Sequence, residues 1–344
     1  MRIASLLAPR RFELSQGQPP RPEAGQLLVR VDSVGVCGSD LHYYAEGRVG
    51  DIECVYPQVI GHEPAGTVVE AGAGVAGWNS GDRVALEPAI YCYHCEFCRR
   101  GLHNLCTNLR FMSMPPEPGF FRDYVTVPAA NVLALPKTLD FAVGTLFEPL
   151  AVALHSMKFA AISAGETAAV FGAGPIGLLT IAALKLSGAG RVWAVEPVAA
   201  RREMALAMGA DETFDPRGGD PVEWIVGETH RRGVDAAIDC AAKDNTINQC
   251  LRVARMAGRV VITGIPSEVH VPLEFHEMRR KELAYFTVRR SNHDSELALD
   301  LLVRHPKLFA PLVTHCRPVE QIAEAFDMLE HYRDGVGKLV IRFA

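Results

Sequence analysis

Four cysteines lie close together in the chain at a spacing that is typical of zinc sites. They are Cys92, Cys95, Cys98 and Cys106, in the pattern C-x2-C-x2-C-x7-C. Zinc binds thiolate sulfur well, and four thiolates complete a tetrahedral shell that leaves no open position. Packed free cysteines are the alternative, but they would not be expected at this spacing. The pattern therefore predicts a closed structural zinc site, with the nearby His94 and His103 outside it.

Three further residues with metal-ligand chemistry are dispersed along the chain. Cys37 and His62 each stand next to a glycine, and Glu148 precedes Pro149. Any one of them alone is more often a packed residue than a ligand. Together they offer a thiolate, an imidazole and a carboxylate, which suffice for a catalytic zinc with an open position. Such a zinc lowers the pKa of an alcohol, and a neighbouring nicotinamide can take hydride from the carbinol carbon.

A glycine-rich turn lies between a short apolar strand, 168–171, and an apolar helix, 178–186. Its motif is Gly172-Ala173-Gly174-Pro175-Ile176-Gly177. In such a motif the first glycine allows the tight turn, the second lets a pyrophosphate approach, and the third lets helix and strand pack closely. The helix N-terminus then offers N–H groups to phosphate oxygens. With strand, helix and a downstream acid in place, the motif predicts a dinucleotide site.

That downstream acid is Glu196, at the end of the next strand candidate, 192–195. A carboxylate there accepts hydrogen bonds from a ribose 2′-OH and repels a 2′-phosphate. Arg201 and Arg202 could favour the phosphate, but we interpret them as solvent-facing charges on the following helix. The sequence therefore favours NAD over NADP.

Composition excludes several classes of protein. The 344 residues leave room for about two domains, and 49% hydrophobic with 22% charged residues is typical of a globular chain. A net charge of −5 offers no basic surface for nucleic acid. Apolar runs stay short of the roughly 20 residues that a membrane span needs, and the first ten residues are too weakly apolar for a signal peptide. The 9 cysteines, four of them bunched, favour a reducing, cytoplasmic location over a disulfide framework.

The remaining pattern predicts two kinds of architecture. Residues 1–150 contain short strand candidates between glycines and prolines, which suggests a small β-barrel or folded sheet. From residue 151, six strand candidates alternate with helices and predict a doubly wound parallel sheet. They are 168–171, 192–195, 213–214, 234–238, 259–263 and 283–288. We expect domains at 1–150 with 286–344, and at 151–285.

All these motifs occur in one order, which resembles that of the zinc-dependent medium-chain dehydrogenase/reductase family over essentially the whole chain. Segments 37–44, 46–50 and 311–315 are most similar to its polyol dehydrogenase branch. The resemblance implies an α/β protein with a GroES-like β-rich catalytic domain and a Rossmann domain. It also implies two zinc ions per chain, one catalytic and one structural, NAD as cofactor, and a homotetramer or homodimer. The implied reaction transfers hydride between NAD and a secondary alcohol of a small-molecule polyol or sugar acid.

The resemblance also assigns roles to single residues. Cys37, His62 and Glu63 match the zinc ligands of the polyol branch. Glu148 is implied near the metal, as a ligand or through its water or the substrate. Ser39 matches the hydroxyl that relays the alcohol proton, with Asp40 and His42 as supports; His42 could equally be a packed residue. Substrate positions match Tyr43, Phe111 and Arg289. Cofactor positions match Gly172, Gly174, Pro175, Ile176, Gly177, Glu196, Arg201, Ile265 and Val288.

The chain departs from the branch at a few positions. Arg290 stands where sorbitol dehydrogenases commonly carry a tyrosine, so we include it among the substrate residues. Two adjacent arginines would suit an acid sugar or a phosphate better than a neutral polyol. The alternative is that Arg290 faces solvent or pairs with a carboxylate. Met112 and Met114 replace smaller residues and narrow the expected pocket floor.

Two other functions compete with a polyol dehydrogenase. An L-threonine dehydrogenase is the rival enzyme, and Glu148-Pro149-Leu150 and the Tyr43-Tyr44 pair count against it. A structural or sensor protein on a dehydrogenase fold is the rival outside enzymes. Such proteins often lose zinc ligands, whereas each candidate ligand is present here.

Overall fold

The computed structural model of the protein describes residues 1–243 and 245–343. The chain forms two compact units, which are Met1–Glu148 with Ser295–Ala344, and Pro149–Asp294. Each unit has its own hydrophobic core of buried side chains. Within the described ranges, no helix combines the length and the apolar content that a membrane crossing requires.

The strands are numbered in chain order. They are β1 (Arg2–Ala8), β2 (Arg11–Gln16), β3 (Gln26–Gly35), β4 (Arg48–Val49), β5 (Ile52–Glu53), β6 (Glu63–Ala71), β7 (Arg83–Leu86), β8 (Ala89–Ile90), β9 (Arg110–Phe111), β10 (Tyr124–Pro128), β11 (Val132–Ala134), β12 (Thr167–Phe171), β13 (Arg191–Val195), β14 (Glu212–Phe214), β15 (Val234–Asp239), β16 (Ala254–Ile262), β17 (Ala284–Thr287), β18 (Val313–Pro318) and β19 (Lys338–Arg342).

The α-helices follow the same convention. They are α1 (Gly38–Glu46), α2 (Glu96–Arg99), α3 (Phe141–Gly144), α4 (Phe147–Ala160), α5 (Pro175–Leu186), α6 (Ala199–Ala207), α7 (Pro221–Glu228), α8 (Thr246–Val253), α9 (Phe275–Lys281), α10 (Ser295–Arg304), α11 (Pro306–Phe309) and α12 (Ile322–Glu330).

The first unit is built around a seven-stranded sheet in the order β11-β7-β6-β3-β19-β18, with β10 also paired to β3. The ten-residue strand β3 is antiparallel to β6 on one side, and to β10 and then β19 on the other. Its burial pattern is almost continuous because neighbours cover both of its edges. This central strand ends at Gly35, two residues before Cys37. Cys37 therefore follows a strand that lies in the middle of the sheet.

The second unit contains a six-stranded sheet in the order β14-β13-β12-β15-β16-β17. Every pair of neighbours in it is parallel. This is the strand order of a doubly wound dinucleotide-binding fold, with its switch point between β12 and β15. The α/β fold class predicted from the sequence is confirmed, including the glycine-rich turn between β12 and α5.

The chain departs from the predicted elements near the last two strands of this sheet. Strand β16 begins at Ala254, five residues before the strand candidate 259–263, because Ala254 pairs with Val234 across a register shift. Residues 286 and 287 belong to β17, which pairs with β16. They therefore lie in the second unit, whereas the sequence analysis had the first unit resume at residue 286.

Candidate functional site

The four clustered cysteines lie around the short helix α2 in the first unit. Their sulfur atoms are all within 4.8 Å of one another. The sulfur of Cys92 is 4.0 Å from that of Cys98 and 3.5 Å from that of Cys106. A tetrahedron with zinc–sulfur bonds of about 2.3 Å places its sulfurs about 3.8 Å apart. The four side chains therefore fit a tetrahedral zinc ion.

Backbone groups in this loop favour the thiolate form that zinc requires. The N–H of Cys95 lies 3.4 Å from the Cys92 sulfur, and the N–H of Cys98 lies 3.5 Å from the Cys95 sulfur. Backbone N–H groups of Cys98 and Thr107 lower the pKa of Cys95 to about 7. Because thiolates are the metal-binding form of cysteine, this shift favours metal binding by Cys95.

A second group of metal-ligating atoms belongs to Cys37, His62 and Glu63, which also lie within 4.8 Å of one another. Cys37 precedes the first residue of α1, and His62 precedes β6, whose first residue is Glu63. The register of β3 and β6 sets Glu63 opposite Gly35. Antiparallel pairing of these strands thus brings together residues that are separated in the sequence by α1, β4 and β5.

Asp40 positions two members of this group. Its side chain is buried, with Oδ1 3.3 Å from Nδ1 of His62 and accepting the N–H of Gly61, while Oδ2 accepts the N–H of Cys37. Burial alone would raise the pKa of Asp40, but His62 and these N–H groups hold it below its usual value. With Nδ1 directed at Asp40, Nε2 is the imidazole nitrogen available to a metal. The contacts of Asp40 thus orient two of the ligands, and its support of a proton relay stays a prediction.

The surroundings of Glu63 provide a test of whether a metal fits. This carboxylate is fully buried, and its Oε1 has no hydrogen-bond partner among the described residues. A buried acceptor without a partner is costly and calls for an explanation, such as an ion. A zinc ion between Cys37, His62 and Glu63 would supply that partner, and the thiolate, imidazole and carboxylate set suits zinc.

Lys338 also contacts this group, and the sequence analysis missed it. The lysine opens β19, is 1% exposed, and pairs with Oε2 of Glu63. Burial alone would lower its pKa, but the negative charges of Glu63, Cys37 and Glu148 hold it above the ordinary value. The only signal in the sequence was a lysine directly before the apolar run 339–341.

Other predicted residues of the first unit lie around these ligands in different ways. Glu148 is buried at the start of α4 and interacts with Lys338, but it does not join the group of ligating atoms, so coordination by Glu148 stays a prediction. The Phe111 ring lies 5.4 Å from the His62 ring, centroid to centroid. Tyr43 is 4% exposed and packs in the hydrophobic core. Its predicted contact with substrate therefore stays a prediction.

Two residues of the predicted proton relay, Ser39 and His42, lie on α1. Ser39 lies half-buried in the first turn of α1. His42, on the same helix, pairs through Nδ1 with Glu46 at 3.1 Å. The relay role of Ser39 and the support from His42 remain predictions.

The glycine-rich turn of the second unit has the geometry that its sequence predicts. Gly172 has φ +90°, a conformation that favours glycine, and its N–H bonds to the Val195 carbonyl. A side chain at Gly177 would collide with the Gly172 carbonyl, so the absence of a Cβ lets α5 approach β12. At Gly174 a Cβ would have no neighbour closer than 4.0 Å. Gly174 thus leaves open space where Pro175 and Ile176 start the helix.

Glu196 is bound to that turn through both carboxylate oxygens. Oε2 accepts the N–H of Ala173 at 2.8 Å, and Oε1 accepts the N–H of Val198 at 2.9 Å. The nearby Arg201 is only 7% exposed. Arg202 donates to the Glu196 and Pro197 carbonyls, each at 2.8 Å, so it is not the free solvent charge that the sequence suggested.

The remaining predicted residues lie beyond the ends of β16 and β17. Ile265 and Val288 line a cavity of about 270 Å³, together with apolar residues of the same unit. Arg289 is exposed, and Arg290 is half-buried with a left-handed backbone, φ +55°. Both arginines belong to the second unit, and their contact with substrate stays a prediction.

Comparison with known proteins identifies the family. The model of the family described as alcohol dehydrogenase GroES-like domain matches residues 23–137, and that of zinc-binding dehydrogenase matches residues 175–304. Sorbitol dehydrogenase of Bacillus subtilis is 31% identical over 341 residues, which cover 99% of this chain and 97% of the relative. L-Threonine 3-dehydrogenase of Pyrococcus abyssi is 34% identical over 326 residues, covering 94% and 93%. The chain belongs to the zinc-dependent medium-chain dehydrogenase/reductase family.

Solved structures agree with this assignment. A Sinorhizobium meliloti 1021 protein bound to NADP has a TM-score of 0.91 at 32% identity, covering 99% of both chains. An Escherichia coli CFT073 alcohol dehydrogenase complexed with NADH has a TM-score of 0.91 at 28% identity, covering 100% and 99%. Galactitol-1-phosphate dehydrogenase of Escherichia coli has a TM-score of 0.90 at 25% identity, covering 100% of both chains. The protein is thus an oxidoreductase of a family that uses zinc and NAD or NADP.

Proposed function

We propose that this protein transfers hydride between NAD and a secondary hydroxyl of a polyol or sugar acid. The observation that carries the proposal is the group of Cys37, which is half-buried, and the buried His62 and Glu63, in which one oxygen of Glu63 has no hydrogen-bond partner in the described chain. The family membership and the similarity to sorbitol dehydrogenase support the same activity.

The residues of the first unit divide the work as follows. Cys37, His62 and Glu63 would hold a zinc ion, which supplies Lewis acidity at an open coordination position. Asp40 holds His62 in the tautomer that presents Nε2. Ser39 passes the alcohol proton outward, and the Phe111 ring beside His62 limits access of water to the ligands.

NAD is the proposed cofactor, and Glu196 is the reason. Its carboxylate is fixed by two backbone N–H groups at the end of β13, where a ribose hydroxyl would bind. Arg202 is held by backbone carbonyls and by Asp215, at 3.1 Å, which reduces its availability to a 2′-phosphate. Relatives crystallised with NADP and with NADH leave both cofactors open to test.

Among the proposed substrates, an anionic one is favoured if the adjacent Arg289 and Arg290 both reach it. Guanidinium groups pair bidentately with carboxylate or phosphate, and each charge-assisted hydrogen bond contributes about 1.5–3 kcal/mol. We therefore expect kcat/KM at least about tenfold higher for an aldonate or sugar phosphate than for the matching neutral polyol. Arg290→Tyr should shift the preference towards the neutral polyol. A wild type that prefers the neutral polyol, with no change in Arg290→Tyr, would identify Arg290 as a bystander.

The main experiment is a panel of polyols, aldonates, sugar phosphates and L-threonine, each with NAD. Cys37→Ser should abolish turnover, since it removes a proposed zinc ligand. Cys54→Ser is the matched control, because Cys54 is a free cysteine outside both metal groups. Zinc-loaded protein that turns over no member of the panel would refute the proposal and favour a structural or sensor role.

L-Threonine dehydrogenation is the second candidate activity. The 34% identity to the Pyrococcus abyssi enzyme over 326 residues favours it. Higher kcat/KM for L-threonine than for every polyol and sugar acid in the panel would establish it over the leading proposal.

We further propose a cytoplasmic homotetramer or homodimer. Nine free cysteines suit a reducing compartment, and cell fractionation tests this location. In the described part of the second unit's sheet, β17 is an edge strand that pairs with β16, and we propose that its other edge pairs with a second copy. Light scattering at micromolar concentration tests assembly, and a monomer would contradict it.

A further inference from the structure

Lys338 is a fully buried cation beside a proposed zinc ligand. The lysine is 1% exposed and Glu63 is 0% exposed, and the two side chains form an ion pair through Oε2 of Glu63. Lysine is almost never buried to this extent unless it is paired, because desolvation of an ammonium is costly. A buried pair next to metal ligands therefore needs a reason beyond stability, since apolar residues could fill the same space.

The strand order of the sheet and a glycine in its central strand allow this pair to form. Strand β3 lies between β6, which carries Glu63, and β19, which carries Lys338. At the crossing point β3 has Gly35, opposite Glu63 on one side and Val340 on the other. A Cβ at Gly35 would overlap the Glu63 carboxylate and lie 3.0 Å from Cε of Lys338. The missing side chain is therefore what lets the two long side chains meet across β3.

The two carboxylate oxygens of Glu63 have different surroundings. Oε2 is engaged by the ammonium of Lys338, whereas Oε1 has no hydrogen-bond partner among the residues described and belongs to the carboxylate grouped with Cys37 and His62. A zinc ion with one thiolate and one carboxylate is neutral overall, so Lys338 adds a positive charge to the site. The lysine also interacts with Glu148, a further carboxylate near the ligands.

We propose that Lys338 is a positioning residue for the catalytic zinc, which holds Glu63 so that a single oxygen is presented to the metal. This inference rests on the proposed zinc site of Cys37, His62 and Glu63. Partners of metal-ligating carboxylates typically change metal affinity or activity by about 10–100-fold when they are removed. Lys338 would act in that manner through Glu63, without contacting the substrate.

Metal retention tests the proposal directly. Wild type, Lys338→Met and Lys338→Arg are loaded with zinc, challenged with a chelator, and followed by zinc release. Lys338→Met should release the catalytic zinc about tenfold faster, whereas Lys338→Arg, which keeps the charge, should stay closer to wild type. The four-cysteine zinc is an internal control that should not respond. Lys185→Met, which removes a lysine paired with Asp211 in the second unit, is the matched control variant.

Cobalt substitution gives a second readout that does not depend on turnover. The visible bands of cobalt at the catalytic site should shift in Lys338→Met, because Glu63 changes its mode of coordination. Gly35→Ala should cause a similar shift with both charges retained, since its Cβ displaces the pair; it keeps the test decisive if Lys338→Met does not fold. Wild type with two zinc ions and unchanged release and spectra in these variants would overturn this inference alone. Wild type that holds no metal at Cys37, His62 and Glu63 would overturn it together with the proposed function.

Discussion

Replacement of the second or the third glycine of the cofactor turn by alanine should have different effects. Gly177→Ala should mainly lower stability, whereas Gly174→Ala should mainly weaken cofactor binding. At Gly177 a Cβ would overlap the carbonyl oxygen of Gly172 and lie 2.9 Å from its carbonyl carbon. Both are backbone atoms, so relief requires α5 to move away from β12. At Gly174 the nearest atom to a Cβ would be a guanidinium nitrogen of Arg201, 4.0 Å away, so nothing in the protein need move.

These distances give the expected magnitudes. Overpacking against fixed backbone costs about 3 kcal/mol, and the better helix propensity of alanine offsets about 1 kcal/mol. Gly177→Ala should therefore lower the free energy of unfolding by about 2 kcal/mol. Gly174→Ala removes a glycine from the residue before α5, which costs under about 1 kcal/mol. Its effect should instead be on binding, where a Cβ occupies the space of the pyrophosphate and lowers NADH affinity at least about tenfold, or about 1.4 kcal/mol.

Urea unfolding followed by circular dichroism measures the first quantity, and NADH fluorescence titration measures the second. Each variant is the control for the other, since the two positions lie three residues apart in one turn. The reasoning is refuted if Gly174→Ala binds NADH as tightly as wild type. It is equally refuted if Gly174→Ala loses as much stability as Gly177→Ala.

Three further changes test other parts of the molecule. Cys92→Ser should lower the zinc content from two ions to one per chain by elemental analysis; at most one zinc in fully active wild type contradicts the two-site prediction. Glu196→Gln should narrow the preference for NAD over NADP in kcat/KM by about tenfold, because it removes repulsion of the 2′-phosphate; a wild type that prefers NADP contradicts this. Asp235→Asn should cost about 2 kcal/mol at pH 7, since it weakens charge-assisted hydrogen bonds to the partly exposed Arg232 and Arg255 at 2.7 and 2.6 Å. Burial alone would raise the pKa of Asp235, but these arginines hold it below its usual value, so its contribution should persist above pH about 3.9 and fade below it; an unfolding difference that stays constant down to pH 3 would refute the assignment.

The second unit was largely predictable because its signals are local. Strand β12, the glycine turn, helix α5 and strand β13 follow one another within about thirty residues, and each has its own periodicity or turn chemistry. The start of β16 was not predictable in this way. Ala254 joins the strand because it pairs with Val234 across a register shift, a long-range contact that helical periodicity cannot report.

The types of residue that form the metal site were predictable from the sequence. The lysine that pairs with one of them was not. Cys37 and His62 could be recognised by residue chemistry and by family motifs. Lys338 lies far from them in sequence and reaches Glu63 only through the pairing of β3 with β19, so no local pattern connects the two. The burial of Tyr43 in the hydrophobic core was likewise not evident from the family motif that carries it, and its contact with substrate stays a prediction.

The position of β3 between early and late strands also determines when the first unit can be completed during synthesis. Strand β6 is available to β3 soon after both are translated, but β19 pairs with β3 only once residues 338–342 have been made. By then residues 149–294, which form the second unit, have already left the ribosome and can fold as a continuous segment. Until residues 338–342 have been made, Glu63 cannot pair with Lys338. One edge of β3 is also partly unpaired until then and open to other strands. Pairing of Glu63 with Lys338 therefore has to follow the synthesis of the whole second unit.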